Sequence, residues 1–198
     1  MTIADPITRL RAAVGEGAPS SDFDLNPELR PAARQLRPAG VLVAFSETPN
    51  GWALHLTKRS SGLKHHPGQI AFPGGKVDPS DSNVIAAALR EAEEEIALPR
   101  LAVDVLGTLT PHETVTGFRV TPVLGLVRQP FTPIPEAGEV DEAFTVPFEH
   151  IANRANYLVE SRYFRGVQRR FQVVPYGPYY IWGATARMLY GLAERLGP

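Results

Sequence analysis

The sequence contains no cysteine. Disulfides, thiolate catalysis and cysteine-ligated zinc are therefore excluded. An excess of either charge is also missing. Twenty Lys and Arg against 21 Asp and Glu leave a formal net charge of −1. No global field then draws the chain to nucleic acid or to an anionic membrane surface. No apolar run approaches the roughly 20 residues that cross a bilayer. The stretch Met1 to Val14 carries Asp5 and Pro6 and lacks the continuous apolar core of a secretory leader. No fixed-period repeat and no long low-complexity tract is visible, and the five histidines are not spaced as a zinc site. The expectation is a cytoplasmic globular protein without nucleic-acid or membrane partners. Its 43% hydrophobic and 21% charged residues are enough to build a sizeable core.

Turn and periodicity signals divide the chain. Residues 1–36 read as a peripheral extension, with Arg9, Leu10, Ala13 and Val14 on a short amphipathic helix and a loop from Gly15 to Ser21. Residues 37–198 read as one domain. Val41 to Phe45 suits a buried strand, and Trp52, Leu54 and Leu56 alternate with Ala53, His55 and Thr57. Thr48-Pro49-Asn50-Gly51 between them is a turn, so the two strands form a hairpin. A glycine-rich, basic loop runs from Arg59 to Gly75. Further strands are expected at Val103–Leu109, Val120–Val127 and Phe144–Val146, with a proline-rich loop at Gln129–Gly138. Tyr157–Tyr176 reads as a hairpin turning near Arg165-Gly166, and Ala184–Leu196 as a final helix. Strands interleaved with two main helices imply an α/β or α+β sandwich with a mixed central sheet. No Gly-x-Gly-x-x-Gly follows a strand, so it is not a Rossmann unit.

The densest chemistry lies in Arg90-Glu91-Ala92-Glu93-Glu94-Glu95. Ile85, Ala88, Leu89, Ala92 and Ile96 share a helical face, so this run is read as a helix started by Asp81 or Ser82 and stopped by Pro99. At about 100° per residue, Glu91 and Glu95 lie about 40° apart, with Glu94 about 60° from Glu91. Carboxylates so close repel one another unless a cation neutralises them. Hard divalent cations such as Mg²⁺ take oxygen ligands of this kind.

The segment from Pro73 to Leu98 resembles the Nudix box. Arg90 to Leu98 matches its second half, except that Ala97 stands where the family has glycine. The loop between Gly75 and the helix is one residue longer than the box pattern, and Asp81 stands where its isolated glutamate falls. Arg59, Ser60, Leu63, His66, Gly68, Gln69, Phe72, Pro73, Gly74 and Gly75 fit the motif of the coenzyme A pyrophosphatase branch of that family. The longer loop is a feature of the same branch. Thr116–Val123 and Tyr180–Ala186 resemble later blocks of it.

The resemblance implies a Nudix-type α/β/α sandwich and a Mg²⁺ or Mn²⁺ cofactor. The metal would be held by Glu91, Glu95 and Glu94 with the Gly74 carbonyl. Arg90 would orient the carboxylates. Glu139 is the first candidate for the general base and Glu142 the second. Arg59, Lys64, His66 and Gln69 would meet the substrate, although Lys64 can equally face solvent and His66 can equally bond within its loop. His55 and His65 are expected to be structural or exposed, and Phe72 to be core. The implied reaction is hydrolysis of the pyrophosphate of coenzyme A, or of its derivatives, to 3′,5′-ADP and 4′-phosphopantetheine. The alternatives are ADP-ribose, a dinucleotide or a nucleoside triphosphate as substrate, or a non-catalytic nucleotide sensor. The oligomeric state is not legible.

Overall fold

The computed structural model describes residues 5–15, 17–164 and 166–197. In chain order the helices are α1 (Pro6–Ala13), α2 (Val84–Ile96), α3 (Phe148–Ala152) and α4 (Gly183–Leu196). The strands begin with β1 (Ser20–Ser21), β2 (Arg37–Thr48), β3 (Gly51–Arg59), β4 (Ile70–Ala71), β5 (Gly74–Lys76) and β6 (Val103–Thr108). They continue with β7 (His112–Glu113), β8 (Phe118–Val127), β9 (Val140–Pro147), β10 (Leu158–Phe164) and β11 (Val167–Val173). Nine strands form one sheet ordered β1-β7-β8-β2-β3-β4, with β5 on β2, β6 on β8 and β9 on β3. The β2–β8 and β1–β7 pairs are parallel and the others antiparallel, so the sheet is mixed.

Because β2 is central, both of its faces bury. Val43 and Phe45 join Leu54, Leu56, Leu124, Phe148 and Leu189 in one core cluster, which α1, α3 and α4 cover. Leu42 and Ala44 join Ala88, Ala92, Ile96 and Val123 in a second cluster beneath α2. Helices thus lie on both faces, and the expected sandwich is the fold. Burial of Ile96, which is 1% exposed, contributes about 2 kcal/mol. That outweighs the exposed ion pair between Glu93 of the same helix and Arg100 beyond its end, worth under about 1 kcal/mol. Among the described residues, no helix is long and apolar enough to cross a membrane.

Four expectations need correction. The strand expected at Phe144–Val146 runs from Val140 to Pro147, because it pairs along nearly all of β3. The loop from Arg59 to Gly75 contains β4 and β5. The start of the chain is not peripheral: Leu10 is 0% exposed in the larger core cluster, and Arg9 donates to the Leu196 and Gly197 carbonyls at the end of α4. Arg195 of α4 donates in return to Ala13 and Gly15 at the end of α1. Finally, α2 is capped by neither Asp81 nor Ser82. Asn83 accepts from Ile85 and Ala86, while Asp81 is engaged by Arg90. Arg165, half of the expected hairpin turn, lies outside the described residues, as does Glu16 of the early loop.

Two consequences for stability follow. At its C-terminal end α2 closes on Ala97 at φ 57°, in the left-handed region, where a Cβ costs about 1 kcal/mol or more. Ala97→Gly should therefore stabilise the protein by on the order of 1 kcal/mol, read as a raised urea midpoint. An unchanged or lower midpoint would show that the unfolded-state entropy of glycine outweighs the relief.

His55 accounts for the second. It is 6% exposed, shares a 2.7 Å hydrogen bond with Ser46 and packs on the ring of Phe131. Burial pushes its imidazole from 6.5 down to about 4. Below pH 6.5 the unfolded chain takes up a proton that the folded chain refuses until about pH 4. The contribution of His55 should therefore fall as pH falls across this window, by up to about 3 kcal/mol. It is opposite in sign to that of Glu95, whose carboxyl is raised to about 7 in the folded chain. His55→Gln should remove the His55 part of the slope. Urea unfolding of both proteins at several pH values checks this, and identical slopes would refute it.

Candidate active site

The site is built where α2 crosses β2 and β5. A Cβ at Gly40 of β2 would strike the Val84 carbonyl, so glycine lets the first turn of α2 approach the sheet. Gly74 sits at φ 151° in β5, and a Cβ there would lie 2.5 Å from the Gly40 carbonyl oxygen. Its N–H donates to Glu95 Oε2 at 3.2 Å. At the neighbouring Gly75 a Cβ would collide with the Glu91 carboxylate. The glycine pair is thus the surface against which both carboxylates lie.

Arg90 ties the acidic side chains together. Its Nε and Nη2 donate to the two oxygens of Asp81 at 3.1 and 2.9 Å. Its Nη1 donates to Glu91 at 3.1 Å and to Glu94 at 2.8 Å, and Nη2 also reaches the Lys76 carbonyl. The guanidinium side chain is only 14% exposed, which strengthens these contacts over those of a surface pair. Asp81 is the residue that sequence reasoning undervalued. It holds the far side of Arg90, and it also accepts from the Asp78 N–H at 2.8 Å. Its spacing after Gly75 was the available signal. Glu93 takes no part, since it pairs with Arg100.

The proline-rich loop brings the next acid. The N–H groups of Ile134 and Glu136 donate to the Ile96 and Glu95 carbonyls, satisfying the end of α2. The chain then turns, and Ser60 donates to the Glu139 carbonyl at 2.8 Å. Glu95 is 4% exposed. Burial lifts its carboxyl to about 7, against the lowering pull of the Gly74 N–H and Arg59, while Glu91 and Glu139 push it further up. Burial likewise raises Glu91; Arg90 opposes the shift, and Glu94 and Glu139 add to it. Glu91, Glu95, Glu139 and Arg59 therefore share one electrostatic neighbourhood. Glu142 is engaged elsewhere: it accepts from the Tyr179 hydroxyl at 2.5 Å, and Tyr179 stacks on Phe144.

The basic loop is closed at its neck, where Arg59 N–H donates to the Gln69 carbonyl and Gly68 N–H to the Arg59 carbonyl. Thr185 of α4 fixes its outgoing arm through the Ile70 carbonyl. His66, at φ 56°, and Gln69 share a 2.9 Å side-chain hydrogen bond within the loop. Lys64 and His65 are exposed, and Phe72 is buried core.

Among the described residues, no three acidic or histidine side chains are already drawn into a cation cage. Glu91 and Glu94 are turned onto Arg90, and Glu95 onto the Gly74 N–H. The donor chemistry still fits a divalent cation. Buried carboxylates that raise one another are relieved by positive charge, and hard cations take carboxylate and carbonyl oxygen.

A model of the NUDIX domain matches residues 36–165. The chain is 40% identical over 173 residues to the uncharacterized Nudix hydrolase NudL of Escherichia coli, covering 87% of this chain and 90% of that one. The NudL protein of Shigella boydii matches with the same figures. The crystal structure of a MutT/nudix family protein from Enterococcus faecalis shares the fold at 14% identity, with a TM-score of 0.53 over 84% of this chain and 64% of that one. With the family model over most of its length and relatives this similar, the chain belongs to the Nudix family and is a Nudix hydrolase.

Proposed function

We propose that this Nudix hydrolase cleaves the pyrophosphate bond of coenzyme A and its derivatives. The observation that carries the reading is the placement of the Arg59–Gly75 block. The loop whose residues resemble the coenzyme A motif ends in the glycines against which Glu91 and Glu95 lie. It begins with Arg59, which acts electrostatically on Glu95.

Glu91, Glu95 and Glu94, with the Gly74 carbonyl, would hold Mg²⁺ or Mn²⁺. When bound, such a cation neutralises phosphoryl charge and eases ionisation of water. Arg90, anchored by Asp81, keeps the carboxylates oriented. Glu139 is exposed beside them and takes the proton of the attacking water. The water oxygen bonds to phosphorus, the bridging P–O bond breaks, and 3′,5′-ADP and 4′-phosphopantetheine leave. Arg59 and Lys64 meet phosphate, Arg59 through the forked donor geometry that suits it. His66 and Gln69 brace one another and present the loop to substrate. ADP-ribose, a dinucleotide and a nucleoside triphosphate are the rival substrates, and turnover of each beside coenzyme A, with Mg²⁺ and with Mn²⁺, separates them.

Glu95→Gln should lower the maximal rate by about 100-fold or more, because it removes charge where the transition state needs it while keeping shape. Thermal melts and circular dichroism should show an intact fold. Retention of more than about a tenth of the rate would remove Glu95 from the reaction.

Arg59→Ala should damage turnover of coenzyme A more than that of 3′-dephospho-coenzyme A. An arginine facing the 3′-phosphate makes a charge-assisted contact that the dephospho compound lacks. Both substrates carry the same pyrophosphate, so effects on metal and water cancel in the ratio of their kcat/KM values. An equal loss on both would assign Arg59 to the pyrophosphate instead.

A further inference from the structure

The hairpin of β10 and β11 stands apart from the main sheet. It forms its own two-stranded sheet in which, among the described residues, β10 pairs only with β11. Its outer strand is exposed along most of its length: Leu158 is 52% exposed, Val159 53%, Tyr163 78% and Phe164 58%. Long open edges bearing apolar side chains are usually blunted by proline, a bulge or a covering segment. Here β10 contains no proline, and its register with β11 is continuous from Leu158↔Val173 to Phe164↔Val167.

The register also says which backbone groups are open. Asn26 takes both the N–H and the carbonyl of Arg170, the partner of Ser161, so the Ser161↔Arg170 pair does not exchange backbone hydrogen bonds and its neighbours on either side do. Alternation then turns Phe164, Arg162, Glu160 and Leu158 toward β11. The N–H and C=O groups of Tyr163, Ser161 and Val159 point outward.

The strand Leu158-Val159-Glu160-Ser161-Arg162-Tyr163-Phe164 is complementary to itself when reversed about Ser161. A two-fold antiparallel pairing centred there sets Glu160 opposite Arg162 of the second copy, Val159 opposite Tyr163, and Leu158 opposite Phe164. Ser161 meets Ser161. This register also faces the outward groups of one copy with those of the other, for about six new backbone hydrogen bonds. The alternative centres that satisfy the backbone fare worse. A centre at Glu160 stacks glutamate on glutamate, and a centre at Arg162 stacks arginine on arginine; like charges directly opposite are destabilising. The two charged residues are already held in place. Glu160 accepts from the Tyr180 hydroxyl at 2.6 Å, and Arg162 lies over the Tyr180 ring at 5.0 Å. We propose that β10 is an isologous dimer interface, at which two copies of this chain pair their β10 strands about Ser161 into one four-stranded sheet.

Sedimentation equilibrium of the full chain tests this. Wild type should sediment at about twice 21.6 kDa at micromolar concentration. Glu160→Arg alone should weaken dimerisation by about tenfold or more, since it opposes two positive charges at both ends of the interface. Arg162→Glu alone should do the same with negative charges. Mixing the two variants should restore the dimer, because in the mixed pair each altered charge meets its opposite. Ser161→Pro removes one outward N–H without touching the pairing to β11, and proline is tolerated on such an edge. It should give a folded monomer, and it carries the test if a charge variant fails to fold. A monomeric wild type would overturn the proposal. So would a dimer indifferent to all three substitutions, or a mixture of folded charge variants that stays monomeric.

Discussion

The close approach of α2 to β2 and β5 is the constraint on which the rest of the molecule depends. An ordinary side chain at Gly40 or Gly74 would meet backbone, and one at Gly75 would meet the Glu91 carboxylate. Without Gly40 and Gly75 the helix would ride higher on the sheet, and without Gly74 β5 could not lie so close to β2. Ala88 and Ala92, both fully buried, are the small residues that use the same proximity from the helix side. The result is a seam in which a carboxylate, Glu95, lies against a backbone N–H instead of water. Burial in that seam raises its proton affinity.

Such a seam opposes folding unless its charges are held. Arg90 does most of this, sharing one guanidinium among Asp81, Glu91 and Glu94. Asp81 differs from the other two because it comes from the loop before the helix. The loop that is one residue longer than the family pattern still returns a carboxylate to Arg90, and the start of α2 passes to Asn83. Ala97 shows a similar accommodation at the other end. The backbone takes the left-handed turn that glycine would favour. The turn is fixed by the N–H of Leu98 bonding the Ala92 carbonyl and by burial of Leu98 at 1% exposure.

Much of this was legible in the sequence, for local reasons. Alternation in Trp52–Thr57 and the turn at Pro49-Asn50 place the β2–β3 hairpin, because strand period and turn chemistry are encoded within a few residues. The helical spacing of Ile85, Ala88, Ala92 and Ile96 marks the buried face of α2 for the same reason. What was not legible depends on partners distant in the chain. The role of α1 is visible only when Arg9 meets the end of α4, 187 residues away. The true length of β9 follows from its pairing with β3 and not from its own composition. Glu139 and Glu142 look alike in an acidic loop; Tyr179, far downstream, engages Glu142, while the backbone of Ser60 anchors Glu139.

The same distinction bears on how the protein divides its work. The carboxylate seam is fixed by helix, sheet and Arg90 together, and on the proposed function it serves a reaction common to many pyrophosphates. The Arg59–Gln69 loop is tied at its neck, by Ser60 and Ser61 to Glu139 and Asp141, and by the His66–Gln69 pair, while Lys64 and His65 stay exposed. Exposed loop side chains such as Lys64 and His65 can change with little effect on the fold. On the proposed function, choice of substrate falls to the loop and reaction type to the helix. Arg59 is the residue where the two meet: its backbone closes the loop, and its charge acts on Glu95.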